Sequence, residues 1–110
     1  MEISLLEKKC EACQPGTGAL SAERVSELLK EVAGWEVKEG VLRRVFKFKN
    51  YYETMAFVNA TAWVSDREDH HTDMEVGYNK VVMKYVTHSA GGLTENDFIC
   101  AAKVSRVVEP

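Results

Sequence analysis

The chain lacks the features that mark several classes of protein. It has three cysteines in 110 residues, and so small and odd a number argues against a disulfide framework. No stretch approaches the roughly 18 apolar residues that a membrane-spanning helix requires. The 14 lysines and arginines are outnumbered by 17 aspartates and glutamates, so the net charge of -3 gives no general attraction to nucleic acid. We therefore expect a protein that neither binds nucleic acid directly nor enters a membrane.

Length and composition leave room for a single folded domain. Hydrophobic residues make up 45% and charged residues 28% of the chain, which is typical of a globular protein of this size. The first nine residues lack the ordered basic, apolar and cleavage regions of a signal peptide, so we expect a cytoplasmic protein. A loop over residues 14–18, rich in glycine and containing Pro15, predicts a boundary between a leader, residues 1–19, and a domain, residues 20–110.

Two of the cysteines, Cys10 and Cys13, form a Cys-x-x-Cys pair within the leader. A structural zinc ion requires four ligands, and no second pair follows at the usual spacing. A redox pair would need a preceding strand and a helix beginning at the first cysteine, which this charged leader does not favour. We interpret the pair as thiols without a metal or redox role.

Alternating helical and extended patterns predict an α+β fold. Apolar residues recur at helical spacing in three segments, the first between a capping serine and a terminal glycine. Between the helices, short runs rich in β-branched and aromatic residues flank turn signals, which is typical of two β-hairpins. The predicted elements are a helix over 21–34, strands over 35–37 and 41–49, a helix over 51–64, strands over 74–78 and 81–86, and a helix that begins at the capping box 94–97 and extends to 108.

This α-β-β-α-β-β-α order favours a two-layer sandwich, in which a four-stranded antiparallel sheet carries three helices packed on one face. The other face and the edges of so small a sheet invite pairing with a second copy. We therefore expect a homodimer or homotetramer. We also expect Trp35 and Trp63 in the core, Tyr78 on the sheet, and a broadly buried middle helix that includes Tyr52, Met55, Ala56, Val58 and Ala60.

All three histidines lie in the second half of the chain. His70 and His71 stand within the acidic segment 66–73, and His88 follows the second hairpin. Antiparallel pairing places the end of the last strand beside the start of its partner, which predicts that the three rings meet at one end of the sheet. Imidazole titrates near neutral pH and so can give or take a proton. The segment is therefore a candidate site of proton transfer.

Other interpretations stay open at this point. A charged segment between a helix and a strand is commonly a solvated loop. His71, Asp73 and His88 could imitate a metal site of two histidines and one carboxylate, although adjacent residues of an extended segment point in opposite directions. Asp97 is either the last residue of the capping box that begins at Thr94, or part of the site, or both.

One spaced set of residues resembles the signature of the pterin-4a-carbinolamine dehydratases, also called 4a-hydroxytetrahydrobiopterin dehydratases: Asp69-His70-His71, Tyr78, His88 and Asp97. The resemblance extends over about residues 20–108. It implies removal of water from 4a-hydroxytetrahydrobiopterin to give a quinonoid dihydropterin, within the recycling of tetrahydrobiopterin for an aromatic amino acid hydroxylase. It also implies that no metal or other cofactor takes part, and that the chain assembles as dimers or tetramers.

The resemblance further implies roles for individual residues. The catalytic imidazoles would be those of His70 and His88, as acids at the C4a hydroxyl, and of His71, as the base nearest N5. Thr72 departs from the proline that most members carry after the paired histidines, and Met74 departs from a frequent tryptophan. The residues expected to bind or orient the substrate are Asp66, Asp69, Thr72, Asp73, Met74 and Asp97.

The family resemblance also implies two alternatives without catalysis. Animal members double as dimerisation cofactors of a homeodomain transcription factor, so a transcriptional coactivator is one. A pterin-binding protein associated with molybdopterin metabolism is the other. The complete set of three histidines favours the enzyme, because a scaffold has no need of it.

Overall fold

Three α-helices and four strands follow one another in the predicted order in the computed structural model, which describes residues 4–11 and 18–109. Short 3-10 helices, Leu5–Glu7 and His88–Ala90, lie before α1 and α3. The α+β class and the α-β-β-α-β-β-α order are therefore confirmed. The elements are α1 (Ala22–Leu29), β1 (Glu36–Lys38), β2 (Val41–Lys47), α2 (Tyr51–Arg67), β3 (Asp73–Val76), β4 (Lys80–Tyr85) and α3 (Glu95–Val108).

Each α-helix begins at a polar cap. The Ser21 hydroxyl accepts a hydrogen bond from the backbone N–H of Arg24, and the Asn50 side chain accepts one from Glu53. Such caps satisfy backbone donors that have no partner inside the helix. The first helix ends at Leu29, before the predicted residue 34, because the chain tightens into turns after it and Gly34 adopts a φ of +88°. That conformation favours glycine.

The sheet has the strand order β1-β2-β4-β3, and every neighbouring pair is antiparallel. Phe46 of β2 lies opposite Val81 of β4, and Leu42 lies opposite Tyr85, so these side chains share one face. The helices cover this face. The core combines it with buried residues of the three helices, among them Leu28, Phe57, Phe98, Ile99 and Val104.

The buried face of α2 differs from the prediction. Its fully or almost fully buried residues include three hydroxyl-bearing side chains, Thr54, Thr61 and Ser65. By contrast, the predicted core residue Trp63 is 62% exposed and Tyr52 is 81% exposed, so both assignments were wrong. The hydroxyl of Thr61 donates to the Phe57 carbonyl at 2.9 Å. Such bonds let a polar side chain occupy a buried helix face, which an apolar pattern alone does not reveal.

The two other aromatic predictions had opposite outcomes. Trp35 lies in the core, where its indole N–H donates to the Ser105 hydroxyl at 2.8 Å. Tyr78 was expected on the sheet, but β3 ends at Val76 and the Tyr78 side chain is 66% exposed. Its ring stacks on that of Tyr51, with the centroids 6.2 Å apart.

The N-terminal segment, residues 4–11, packs against the domain. Leu5 is 4% exposed and belongs to the core cluster, and the 3-10 helix that contains it contacts α3. Cys13 and the loop over residues 14–17 lie outside the described residues, so the Cys-x-x-Cys interpretation stays a prediction. In residues 4–11 and 18–109, no helix is long and apolar enough to cross a membrane.

Candidate active site

A buried contact between a histidine and an aspartate joins the loop after α2 to the first turn of α3. His70 Nε2 lies 2.6 Å from Asp97 Oδ1, and the Asp97 side chain is 0% exposed. The His70 ring is itself mostly buried. A carboxylate held away from water needs hydrogen-bond donors around it. The Asp97 carboxylate therefore depends on the groups that surround it, and one of them is an imidazole.

The second oxygen of Asp97 holds the start of α3. Asp97 Oδ2 accepts hydrogen bonds from the backbone N–H of Thr94, at 2.8 Å, and from the Thr87 hydroxyl, at 2.9 Å. The Thr94 and Thr87 hydroxyls are also 2.8 Å apart. The capping box predicted at residues 94–97 is thus present. Asp97 caps the helix with one oxygen and binds His70 with the other.

The His70 ring is positioned by a stacking contact on one face and by its backbone. It stacks on the ring of Tyr85 in β4, with the centroids 5.9 Å apart and the planes 9° from parallel. The His70 backbone N–H donates to the Ser65 carbonyl, which ties the residue to the last turn of α2. Asp69 just before it has a φ of +51°, a left-handed conformation that turns the chain out of the helix. The imidazole is therefore held in one orientation.

Tyr85 is anchored in the core beneath that imidazole. Its hydroxyl lies 2.9 Å from the Ser65 hydroxyl, and both side chains are buried. Burial raises the pKa of Tyr85 far above its ordinary value and outweighs the hydrogen bond with Ser65, which lowers it. The phenol thus stays neutral and serves as a fixed surface for the histidine ring.

A cavity of about 420 Å³ opens beside His70. Three parts of the chain form its wall: the N-terminal segment, the end of α2 with the loop after it, and the region from the end of β4 to the first turn of α3. Among the described wall residues, three are carboxylates and none is lysine or arginine. The wall consists of Cys10, Glu11, Glu68, Asp69, His70, Thr87, Ser89 and Asn96.

The other two histidines lie at the same end of the sheet, but the cavity wall does not include them. His71 is exposed and lies two residues before β3. His88 is also exposed and begins the 3-10 helix after β4, between the wall residues Thr87 and Ser89. The structure thus joins His70 and Asp97 directly, and it brings His88 near them only through its chain neighbours.

The remaining predicted site residues are spread around this centre. Thr72 is fixed by a hydrogen bond of 2.8 Å from its hydroxyl to the Lys84 carbonyl. Asp73 lies opposite Lys84 at the start of β3, and Met74 packs against the core cluster. Asp66 is exposed near the end of α2, and Asp69 forms part of the cavity wall.

Sequence reasoning missed several wall residues, above all Glu68. Its carboxylate accepts hydrogen bonds from Lys103 Nζ, at 2.8 Å, and from the backbone N–H of Cys10, at 2.7 Å. Burial opposes ionisation, but these two donors outweigh it and hold the pKa of Glu68 below its ordinary value. The acidic segment contained this residue, yet only folding could show which of its acids faces the cavity.

No metal cluster is evident in the described part of the chain, where no group of three or more His, Cys, Asp or Glu residues is arranged to hold an ion. His71, Asp73 and His88, the set that could have imitated such a site, do not form one. The expectation that the reaction needs no metal stays a prediction.

Fold and site together define a class of α+β proteins in which a buried histidine–aspartate pair stands beside a cavity at one end of an antiparallel sheet. The family described as pterin 4 alpha carbinolamine dehydratase matches residues 18–107 of the chain. The chain belongs to this family, and the resemblance noted from the spaced signature is confirmed.

Relatives from several bacteria cover nearly the whole chain. A protein of Nitrosomonas europaea is 55% identical over 91% of this chain and 89% of its own length. One of Nitrosospira multiformis is 50% identical over 96% of this chain and 93% of its own length. Both are named, provisionally, pterin-4-alpha-carbinolamine dehydratase.

Two solved structures share the fold. A transcriptional coactivator/pterin dehydratase from Brucella melitensis superposes with a TM-score of 0.78 at 29% identity, over 82% of this chain and 98% of that chain. A pterin dehydratase-like protein identified as a RuBisCO assembly factor in the alpha-carboxysome gives a TM-score of 0.55 at 26% identity, over 66% and 84%. Proteins of this fold thus carry names of different kinds, so the fold alone does not define the activity.

Proposed function

We propose that this protein removes water from 4a-hydroxytetrahydrobiopterin, or a closely related 4a-hydroxytetrahydropterin, to give the quinonoid dihydropterin. The observation that carries the proposal is the His70–Asp97 pair, 2.6 Å apart at the wall of a cavity of about 420 Å³. Family membership supports the class of substrate. The reaction belongs to tetrahydrobiopterin recycling, so an aromatic amino acid hydroxylase is the expected functional partner.

The reaction needs only proton transfer. The C4a–O bond breaks, and the oxygen leaves as water after it gains a proton from an acid. N5 loses its proton to a base, and the electrons of that N–H bond form the new C4a=N5 double bond. Positioned acids and bases contribute roughly 10²- to 10⁴-fold to the rate of such a step. Histidine suits both roles near neutral pH.

His70 is the group best arranged to act as the acid. A carboxylate only accepts hydrogen bonds, so Nε2 donates to Asp97 and Nδ1 is the nitrogen that exchanges a proton with the substrate. Asp97 fixes the tautomer and orientation of the ring, and stabilises the positive charge that the ring carries when protonated. This division of work between the two nitrogens needs no covalent intermediate and no cofactor.

His88 and His71 complete the proposed set. We assign His88 as a second acid at the hydroxyl, because the residues on either side of it, Thr87 and Ser89, form part of the cavity wall. We assign His71 as the base nearest N5. The Thr72 hydroxyl, bonded to the Lys84 carbonyl, restrains the chain just after His71, where most members have a proline.

The other predicted residues have supporting roles in the proposal. Asp69 reaches the cavity wall and is expected to bind or orient the substrate. Asp66, Asp73 and Met74 would act from further away, by charge or by shaping the loop around His71.

We also propose that the chain works as a homodimer or homotetramer, since the sheet has a face that the helices do not cover.

The direct test is a stopped-flow assay on 4a-hydroxytetrahydropterin, with the spontaneous dehydration measured in the same buffer. We expect the wild type to accelerate the reaction and each of His70→Ala, His71→Ala and His88→Ala to lower kcat/KM strongly. Exposed Asn59 in α2 offers a control, because Asn59→Ala leaves all three imidazoles in place. A wild type no faster than the spontaneous reaction would refute the proposal and favour a coactivator or a pterin-binding protein.

A further inference from the structure

The N-terminal segment supplies a wall of the cavity for which the proposed function gives no role. Cys10 and Glu11 line the cavity on the side formed by this segment. The match to the family begins only at residue 18, so this wall comes from chain that precedes the matched domain. A wall beside His70 would contact any ligand that fills the cavity.

Asn96 holds the segment by its backbone. Its Oδ1 accepts a hydrogen bond from the Glu11 N–H at 3.1 Å, and its Nδ2 donates to the Glu11 carbonyl at 2.7 Å. The amide thus pairs with both backbone groups of one residue, as a neighbouring strand would. Because Asn96 lies one residue before Asp97, the segment is fixed to the same helical turn that orients His70.

Further contacts seat the segment on either side of this amide. The Cys10 N–H donates to Glu68 Oε1 at 2.7 Å, and Lys8 Nζ lies 2.7 Å from Glu95 Oε1. The Cys10 sulfur is 3.6 Å from that of buried Cys100. Residues 8–11 are therefore docked through main chain and side chains, which is the condition for a wall of fixed shape.

We infer that residues 8–11 form a fixed wall of the pterin site and that Asn96 is the positioning residue that holds this wall. The inference rests on the proposed function. Releasing the wall removes contacts with the bound substrate but leaves the imidazoles and Asp97 in place. The expected effect is therefore on substrate affinity, with little change in the proton-transfer steps.

The test compares Asn96→Ala with the control Asn59→Ala in the full-length chain. We expect Asn96→Ala to raise KM about fivefold, the equivalent of one net hydrogen bond, with kcat unchanged. Alkylation of Cys10 by iodoacetamide, separated from that of Cys13 and Cys100 by peptide mapping, should become faster in the same variant. In the wild type, saturating dihydrobiopterin should slow alkylation of Cys10, because the bound pterin would cover this wall residue. This measurement needs no variant.

Three results would overturn this inference alone, provided that the wild type is an active dehydratase. Faster alkylation of Cys10 with an unchanged KM would mean that the segment does not border the substrate. A raised KM with unchanged alkylation would mean that Asn96 acts without the segment. A lower kcat with unchanged KM in Asn96→Ala would mean that the substitution disturbs the neighbouring Asp97 and not the wall. An inactive wild type would instead refute the proposed function, and this inference with it.

Discussion

Replacing Asp97 by asparagine separates the two tasks of this side chain. The amide oxygen of asparagine can still accept from the Thr94 N–H and the Thr87 hydroxyl, which bind Asp97 Oδ2 at 2.8 and 2.9 Å. The amide NH₂ would then occupy the place of Oδ1, 2.6 Å from His70 Nε2. The capping bonds survive, whereas the bond to the histidine reverses its direction.

That reversal changes which nitrogen of His70 carries the hydrogen. An NH₂ group only donates, so Nε2 has to accept and Nδ1 has to keep its hydrogen in the neutral ring. The variant also loses the carboxylate that stabilises the protonated ring. We expect kcat to fall by roughly 10²- to 10⁴-fold, the range of a general acid–base contribution. We expect the free energy of unfolding to fall by about 1–3 kcal/mol, because one buried charge-assisted bond is replaced.

The assay combines stopped-flow dehydration of 4a-hydroxytetrahydropterin with urea unfolding of the same preparation. Glu39→Gln is the matched control, since it also converts a carboxylate into an amide, and Glu39 is exposed in the turn between β1 and β2, outside the candidate site. The control should keep its stability within about 0.5 kcal/mol of the wild type. An Asp97→Asn protein that folds and retains full activity would refute the reasoning and leave Asp97 as a helix cap alone.

Three further predictions concern the surroundings of the site. EDTA should leave the dehydration rate unchanged, and a loss restored by added metal would contradict a cofactor-free mechanism. Tyr85→Phe should lower the free energy of unfolding in urea by about 1–2 kcal/mol, because the buried Ser65 hydroxyl loses its partner. Adding Ser65→Ala to Tyr85→Phe should recover part of this loss. Equal losses in the single and the double variant would exclude the bond between the two hydroxyls as the cause. The lowered pKa of Glu68 stabilises the folded protein above the ordinary pKa of about 4.3, and this stability is lost as the pH falls toward the lowered value. Glu68→Gln removes this titration, so it should flatten the acid side of a plot of Tm against pH. Parallel curves for the wild type and the variant would contradict the assignment.

The element order could be predicted because its local signals are strong. Capping residues, hairpin turns and β-branched runs lie close together in the chain, and each acts over a few residues. The face of α2 could not be predicted in the same way. The side chains buried there are those of Thr54, Thr61 and Ser65, because each hydroxyl forms a hydrogen bond with a nearby group. Trp63 is exposed to solvent instead.

The candidate site was predictable only in part. The spaced signature predicted His70 and Asp97 as site residues and the capping box predicted Asp97 as a cap; in the structure, Asp97 caps α3 and also contacts His70. Thr87 and Glu68 were missed, because their contribution depends on contacts between residues far apart in the chain. The docking of residues 4–11, with Leu5 in the core, was missed for the same reason.

The most direct test of the central claim, that His70 and Asp97 act as one unit, is a double-mutant cycle on kcat/KM for dehydration. It compares the wild type, His70→Ala, Asp97→Asn and the double variant. Because Asp97 acts through the His70 ring, the double variant should lose about as much as His70→Ala alone. Losses that multiply independently would contradict the account.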